Sequence, residues 1–284
     1  MDRRLLRDNG RVAHVSLKGQ VEAQSFVEST PQSVGWSELP IWNAPGGAID
    51  RTLLFGDIFH VLEAGPGFAF GYAGHDGYVG YVDANGLFDL PGEITHRVKA
   101  RLTQALDKPT LKTSGEHIPL SLNSGLHVTD DSDPKWAEIA MPTGRRFVPK
   151  VHLRPEAAPE TDPVAVAERF LGTPYVWAGN HARGIDCSGL VQISCRACDI
   201  PCPGDSDQQE AALGETLTSG TPPKRGDLMF WKGHVAWVSD SETLLHANAF
   251  HMAVAYEPLN AAIARIKAQG DGPVTRHARL IAAR

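Results

Sequence analysis

The sequence predicts two small β-barrels followed by an α+β domain, and three observations lead to this expectation. Glycine and proline are frequent, at 28 and 20 of 284 residues, which suits short strands joined by tight turns. Apolar residues show no sustained helical periodicity in residues 34–90 or 97–153. Beyond residue 162, helical segments come first and strand-like runs follow, without the alternation typical of parallel α/β domains. We place the domains at 1–92, 93–157 and 158–284.

The composition is that of a globular protein whose charge argues against two classes of partner. Hydrophobic residues make up 42% and charged residues 21%, and the net charge is −6 with a pI of about 6.0. Such a chain is not expected to bind nucleic acid or an anionic membrane surface as its main partner. No segment approaches the roughly 18 apolar residues of a membrane span. The basic residues 1–8 are followed by neither an apolar run nor a small-residue cleavage site. We therefore expect a cytoplasmic protein, unless an export segment is missing from the sequence.

The two expected barrels show strand-like runs separated by turn signals. In the first, residues 53–63 form one apolar run that Gly56-Asp57 interrupts, and residues 68–82 are rich in glycine and aromatic side chains. In the second, the expected turns are Lys108-Pro109, Asp133-Pro134 and Pro142-Thr143-Gly144.

The third domain is expected to begin after a linker. Residues 154–162 are polar and rich in proline, which is typical of a connecting segment. Asp162 is a good N-cap with Pro163 at the first helical position, and the helix that follows should end at Gly172.

Two more helices and four strands are expected further along. One helix should run from near Cys187 to near Asp199. The residues from Ser206 to Gln209 have the spacing of a capping box and should begin a helix that ends at Gly214. The strand-like runs that follow are 227–231, 234–238, 243–246 and 252–256.

Cys187 is the candidate nucleophile. It lies in Gly-Ile-Asp-Cys-Ser-Gly-Leu-Val, at the expected start of a helix. Unpaired backbone N–H groups and the positive end of the helix dipole favour the thiolate there, and the thiolate is the reactive form. His234, at the start of an expected strand, could act as its base. His246 lies in the next run, and two antiparallel strands could place it beside His234, where it would orient the base.

The other three cysteines are expected to be packed thiols. Cys195 and Cys198 have the C-x2-C spacing of some metal ligands, but no second pair follows. Both would also lie on one helix, within a turn of each other. We expect no metal and no other cofactor. The three residues are Cys195, Cys198 and Cys202.

The motifs around these residues resemble those of the NlpC/P60 family of papain-like cysteine peptidases. The likeness rests on Asp-Cys-Ser-Gly around Cys187, Gly-His-Val around His234 and Leu-His-Ala around His246. Arg-Gly-Asp-Leu before the base and Thr-Pro-Tyr-Val-Trp-Ala-Gly before the nucleophile add to it. The resemblance covers roughly residues 162–284 and implies a papain-like catalytic domain with these three catalytic residues. It also implies that Tyr175 helps to bind the oxyanion.

The first half resembles bacterial SH3-like modules, and residues 76–82 carry much of that likeness. Such modules precede the catalytic domain in cytoplasmic γ-D-glutamyl-L-diamino acid endopeptidases. The resemblance implies cleavage of the D-glutamyl–diaminoacyl bond in muropeptides whose L-Ala amine is free, in murein peptide recycling. A muropeptide substrate is thus the expected partner. Its ammonium would be held by Asp186, Ser188, Tyr78 and Asp57, the last in a place where Glu is expected.

Simpler interpretations of these residues stay open. Cys187 could be a small buried hydrophobe, Asp186 only a helix cap and Tyr78 only a core aromatic, and His251 could take the place of His246. The same core could also belong to an amidase or acyltransferase, or the protein could bind wall fragments without cleaving them. The sequence does not distinguish diaminopimelate from lysine in the substrate, and it gives neither the peptide length, the oligomeric state nor a function for the second barrel.

Overall fold

The computed structural model describes residues 2–89 and 91–280. The chain divides into two compact units, Met1–Ala158 and Pro159–Arg284, and the boundary falls inside the expected linker. That linker is shorter than predicted, because Leu153–Pro155 form a strand. Arg154 is buried there, and its guanidinium donates to the carbonyl oxygens of Pro155 and Ala158.

The first unit consists of short strands and three single-turn 3-10 helices. The 3-10 helices are Val15–Leu17, Ala84–Gly86 and Lys150–His152. The strands are β1 (Val12–His14), β2 (Ser25–Val27), β3 (Thr30–Val34), β4 (Glu38–Trp42), β5 (Ile49–Leu54), β6 (Ile58–Ala64), β7 (Phe68–Ala73), β8 (Val79–Asp83), β9 (Leu87–Phe88), β10 (His96–Val98), β11 (Leu102–Leu106), β12 (His117–Ser121), β13 (Gly125–Leu126), β14 (Val128–Asp130), β15 (Trp136–Met141), β16 (Gly144–Pro149) and β17 (Leu153–Pro155).

In the described part of this unit, the strands surround three clusters of buried apolar side chains, the smallest of which consists of Leu62, Phe70, Tyr72 and Val79. An antiparallel sheet with the order β5-β4-β8-β7-β6-β3-β9 surrounds a core that includes Leu39, Phe59 and Val82. Sheets with the orders β12-β11-β16-β15-β14 and β13-β10-β17 share a second core. Phe55, which directly follows β5 of the first of these sheets, contributes to that second core. The domain boundary near residue 92 therefore stays a prediction.

The second unit combines helices with one six-stranded antiparallel sheet of order β20-β25-β21-β22-β23-β24, which confirms the predicted α+β class. Its elements are α1 (Pro163–Glu168), β18 (Asn180–His181), β19 (Gly184–Ile185), α2 (Cys187–Ala197), α3 (Ser206–Ala212), β20 (Glu215–Thr216), β21 (Asp227–Trp231), β22 (His234–Asp240), β23 (Thr243–Asn248), β24 (Ala253–Pro258), α4 (Leu259–Gln269) and β25 (Arg276–Arg279).

Two predicted helix details are wrong. Helix α1 ends at Glu168 instead of Gly172, because the backbone of Gly172 and of the next residue pairs with Val254 of β24. The capping box of α3 uses Asp205 and Gln208, one residue earlier than predicted. Gln209 is fully buried instead, and its side-chain amide donates to the carbonyl oxygens of Ser188 and Pro203 at 2.9 Å each.

Helix α4 was not predicted at all. Leu259, Ala262 and Ile266, spaced at i, i+3 and i+7, are buried, and Gly270, with φ 101°, caps the C-terminus of the helix. This is an amphipathic pattern followed by a left-handed C-terminal glycine. The three side chains pack with Met229, Trp231, Ala236, Val238 and Leu244, which covers one face of the sheet.

Helix α2 packs against β22 and β23. The indole Nε1 of Trp237 donates to Ser194 Oγ at 3.1 Å, so Trp237 faces α2. Successive side chains of a strand alternate between its two faces. Ala236 and Val238, and with them His234, therefore lie on the face that α4 covers.

Candidate active site

The start of α2 is fixed by the carboxylate of Asp186. Its Oδ1 accepts from the backbone N–H of Gly189 at 2.6 Å and from Ser188 Oγ at 3.1 Å, and its Oδ2 accepts from the N–H of Ala178 at 3.0 Å. Cys187 is the first residue of the helix and only 6% exposed. The N–H groups and dipole of the helix terminus therefore act on its sulfur, which favours the thiolate.

Two histidines and a glutamate form a hydrogen-bonded row across three adjacent strands. The ring atom Nε2 of His234 lies 2.9 Å from Nδ1 of His246, and Nε2 of His246 lies 3.0 Å from Oε2 of Glu257. The antiparallel pairing of β22 with β23 and of β23 with β24 brings these side chains to one face.

This row fixes the proton positions on both rings. An ionised carboxylate can only accept, so Nε2 of His246 carries the proton and its Nδ1 is an acceptor. Nε2 of His234 therefore donates to that nitrogen, and its Nδ1 is left with a free lone pair. A histidine held in this tautomer can take a proton from a thiol.

The charges around the row favour this arrangement. Burial opposes ionisation of Glu257, but hydrogen bonds from Arg265 and His246 outweigh it and lower its pKa to about 2. Arg265 donates to both carboxylate oxygens, at 2.8 and 2.7 Å. Burial, and then the positive charge that His246 can carry, lower the pKa of His234 to about 3, so its ring is neutral near neutral pH.

Tyr175 is close enough to Cys187 for the two side chains to interact electrostatically, and it shares a cavity with His234. Burial, and after it the proximity of Cys187 and Asp186, raise the pKa of its phenol. The hydroxyl therefore stays protonated and can donate. Tyr175 also lines a cavity of about 420 Å³ that has His234 in its wall, which we name the base-side cavity.

His251 does not replace His246. Its Nδ1 lies 3.0 Å from Oδ1 of Asn248, the last residue of β23. The structure thus brings His246 to His234 and leaves His251 on the loop between the two strands.

Tyr78 and Asp57 lie in the first unit. Tyr78 is 2% exposed and belongs to the core of the first sheet, and its backbone N–H donates to Asp76 Oδ1 at 3.0 Å. Asp57 is buried in the turn between β5 and β6, and its Oδ2 accepts from the N–H of Leu54 at 2.9 Å. Both residues thus have structural roles, and their part in substrate binding stays a prediction.

The remaining cysteines lie behind the nucleophile on and after α2. Cys195 and Cys202 are buried, and a hydrogen bond between their side chains, followed by burial, raises the pKa of the Cys195 thiol well above its usual value. Within residues 2–89 and 91–280, no group of three or more His, Cys, Asp or Glu side chains is arranged to hold a metal ion. In the same part of the chain, no helix combines the length and apolarity needed to span a membrane.

Comparison with known proteins assigns both units. Residues 172–268 match the NlpC/P60 family, and residues 41–87 match the bacterial dipeptidyl-peptidase SH3 domain. The second unit is an NlpC/P60 domain. The first contains a bacterial dipeptidyl-peptidase SH3 domain.

Two curated relatives match parts of this chain at moderate identity. Dipeptidyl-peptidase 6 of Lysinibacillus sphaericus is 27% identical over 165 residues, which cover 54% of this chain and 60% of the relative. A γ-D-glutamyl-L-lysine dipeptidyl-peptidase of Bacillus cereus is 31% identical over 107 residues, which cover 35% of this chain and 32% of the relative. This chain thus spans less than two thirds of either relative.

A solved NlpC/P60 family protein from Bacillus cereus has the same fold. The two structures superpose with a TM-score of 0.73, covering 88% of this chain and 99% of the other, at 18% sequence identity.

Sequence reasoning missed two residues of the candidate site, Glu257 and Arg265. Glu257 lies near the end of β24, which extends past the predicted end at residue 256, and Arg265 lies on the unpredicted α4. The amphipathic pattern of α4 was a usable signal for the helix. Nothing local to Glu257 indicates that it contacts His246.

Proposed function

We propose that this protein is a cysteine peptidase that cleaves the γ-D-glutamyl–diamino acid bond of peptides derived from the bacterial cell wall. The observation that carries the proposal is the row of His234, His246 and Glu257, in the same domain that places Cys187 at the start of α2. The names of the relatives, dipeptidyl-peptidase 6 and γ-D-glutamyl-L-lysine dipeptidyl-peptidase, support this substrate class.

The reaction follows from the tautomer of the base. Nδ1 of His234 takes the proton of the Cys187 thiol, and the sulfur attacks the γ-carbonyl carbon of the D-glutamyl residue. The phenol of Tyr175 donates a hydrogen bond to the oxyanion. The imidazolium then gives its proton to the leaving amine as the C–N bond breaks, which leaves a thioester on Cys187. Water, deprotonated by His234, hydrolyses the thioester and restores the thiol.

Glu257 supports both transfers through His246. Each time His234 becomes an imidazolium, its Nε2–H donates to His246, and the carboxylate behind His246 stabilises the positive charge. His246 and Glu257 are thus positioning residues, while Cys187, His234 and Tyr175 contact the reacting atoms.

The amino end of the substrate distinguishes free peptides from intact wall. In the wall, the nitrogen of L-Ala is an amide and carries no charge, whereas in a released peptide it is a cation near neutral pH. We assign recognition of that cation to Asp186 and Ser188, and the family resemblance adds Tyr78 and Asp57 to this role. Asp186 is 5% exposed, and the N–H groups of Ala178 and Gly189 hold its carboxylate in place beside Cys187. This assignment favours released peptides, and hence a function in murein peptide recycling in the cytoplasm.

The test is incubation with L-Ala-γ-D-Glu-diaminopimelate, with release of L-Ala-D-Glu followed by mass spectrometry. Acetylating the L-Ala amine should lower kcat/KM at least about a hundredfold, which corresponds to about 2.7 kcal/mol. Equal cleavage of both peptides would contradict amine recognition and favour a wall-remodelling enzyme. An amidase would leave the D-glutamyl bond intact, an acyltransferase would pass the L-Ala-D-Glu acyl group to an amine instead of releasing L-Ala-D-Glu, and a binding protein would retain the peptide without product.

A further inference from the structure

The base-side cavity has the size and the position of a substrate subsite. Its volume of about 420 Å³ lies within the range of about 300–1,000 Å³ typical of small-molecule sites. Besides Tyr175 and His234, it is lined by the charged or aromatic side chains of Lys232, Phe250, Arg265 and Asp271.

The cavity lies on the leaving-group side of the proposed reaction. His234 must reach the nitrogen of the scissile bond to protonate it, so the amino acid that departs with that nitrogen lies against His234. His234 is in the wall of the cavity, whereas Cys187 is not. The side chain of the departing diamino acid can therefore enter this space.

Arg265 does not contribute a free charge to the cavity. Its guanidinium donates to both oxygens of Glu257, and Nη1 donates to Gln269 Oε1 at 2.8 Å. The same guanidinium stacks on the ring of Phe250, 4.6 Å from its centroid. Its charge is thus balanced by Glu257, and its position is fixed.

Lys232 and Asp271 are different. Lys232 is exposed in the turn between β21 and β22, two residues before His234, and Asp271 is exposed just after the C-terminus of α4. Within residues 2–89 and 91–280, neither side chain has an ion-pair partner of opposite charge within 4.0 Å, although the charge of Asp271 contributes, after that of Glu257, to raising the pKa of Arg265. The carbonyl end of α4 adds negative potential beside Asp271. The cavity therefore offers one cationic and one anionic group to a ligand.

We propose that this cavity selects a diamino acid whose far end carries both an ammonium and a carboxylate, which is 2,6-diaminopimelate, over lysine. Lys232 pairs with the distal carboxylate, and Asp271 pairs with the distal ammonium. The side chain of lysine ends in an ammonium alone, so it leaves Lys232 without a partner and places two cations in one cavity. This inference rests on the proposed function and goes beyond it by assigning the diamino acid.

The test compares three tripeptides: L-Ala-γ-D-Glu with diaminopimelate, with diaminopimelate amidated at the distal carboxyl, and with L-lysine. The wild-type protein should prefer the first over the other two by about tenfold in kcat/KM, a modest factor because both charged side chains are exposed. Lys232→Met should remove this preference, and Lys232→Glu should reverse it in favour of lysine. Asp271→Asn should lower kcat/KM for all three tripeptides. The matched control is Lys267→Met, which removes an exposed lysine of α4 outside the cavity and should leave the preference unchanged.

Each result distinguishes this inference from the proposed function. If none of the tripeptides is cleaved, the proposed function is wrong. If they are cleaved but Lys232→Met lowers kcat/KM equally for diaminopimelate and lysine, Lys232 binds the α-carboxylate common to both, and the selection proposed here is refuted. An unchanged preference in Lys232→Met and Lys232→Glu refutes it as well.

Discussion

Replacing Glu257 with Gln should lower kcat/KM by roughly thirtyfold while keeping the tautomer of the base, because the change removes a charge but not the acceptor for His246. The carboxylate has two unequal oxygens. Oε1 accepts from Nε of Arg265, whereas Oε2 accepts from Arg265 Nη2 and His246 Nε2. An amide nitrogen in the place of Oε1 would face one N–H donor, whereas in the place of Oε2 it would face two. The amide carbonyl therefore takes the place of Oε2 and continues to accept from His246.

The expected magnitude comes from the lost charge. When His234 holds the thiol proton, its imidazolium is separated from the Glu257 carboxylate by the ring of His246 and by hydrogen bonds of 2.9 and 3.0 Å, which puts the two charges roughly 8 Å apart. At an effective dielectric constant of about 20, that separation corresponds to about 2 kcal/mol of attraction. Losing it from the transition state lowers the rate roughly thirtyfold. The lost hydrogen bond to Arg265 should also lower the melting temperature, since a bond to a charged group contributes about 1.5–3 kcal/mol.

The assay is kcat/KM for the diaminopimelate tripeptide, measured well below the melting temperature of each variant. Two variants complete the series. Glu257→Leu also removes the acceptor and should lose clearly more activity than Glu257→Gln, and Glu215→Gln removes an exposed charge from β20 and should change nothing. If Glu257→Gln loses as much as Glu257→Leu, the amide has turned and the deduced tautomer is wrong. If it loses nothing, the charge does not support the base.

Four further results are expected. Cys187→Ala should abolish product release with an unchanged melting temperature, because it removes the nucleophile but little buried surface; residual turnover above a few per cent would show that another residue attacks. His234→Ala should cost more kcat/KM than His246→Ala, since possessing a base matters more than orienting one, and equal losses would give His246 a more direct role. The pKa of His234 is lowered from 6.5, so His234 loses its function as a base only when the pH falls through that lowered pKa and the ring becomes protonated. The acid limb of the pH profile of kcat/KM should therefore lie well below pH 6.5, and a midpoint near 6.5 would contradict this. The variant in which Ser replaces all three remaining cysteines should stay active if it folds. Elemental analysis of the wild-type protein should find no stoichiometric metal, and about one zinc or iron per chain would contradict this expectation.

The start of α2 could be predicted because its determinants are local. Asp186 caps the helix that begins at Cys187, and both hydrogen bonds to its Oδ1 come from residues within three positions. Turns at glycine were equally readable, as at Gly56, whose φ of 78° is unfavourable for any residue with a Cβ. The motifs around His234 and His246 identified two of the three members of the hydrogen-bonded row.

The third member depended on register. Leu244 pairs with Glu257 and His246 with Ala255, and this offset along β23 and β24 brings the carboxylate to Nε2 of His246. A shift of one residue would turn Glu257 to the other face of the sheet. The sequence of β24 contains no mark of that register.

The sequence by itself indicated the SH3-like part ahead of the NlpC/P60 domain, the helix that starts at Cys187 and the motifs of the two histidines, since these depend on short segments and their caps. The tertiary structure alone decided that Glu257 and Arg265 complete the row, and that Lys232 and Asp271 border one cavity with His234. These residues come from different elements, β21–β22, β24 and the segment around α4. Only the pairing of the strands and the packing of α4 on the sheet bring them together, and such contacts are set by the whole domain.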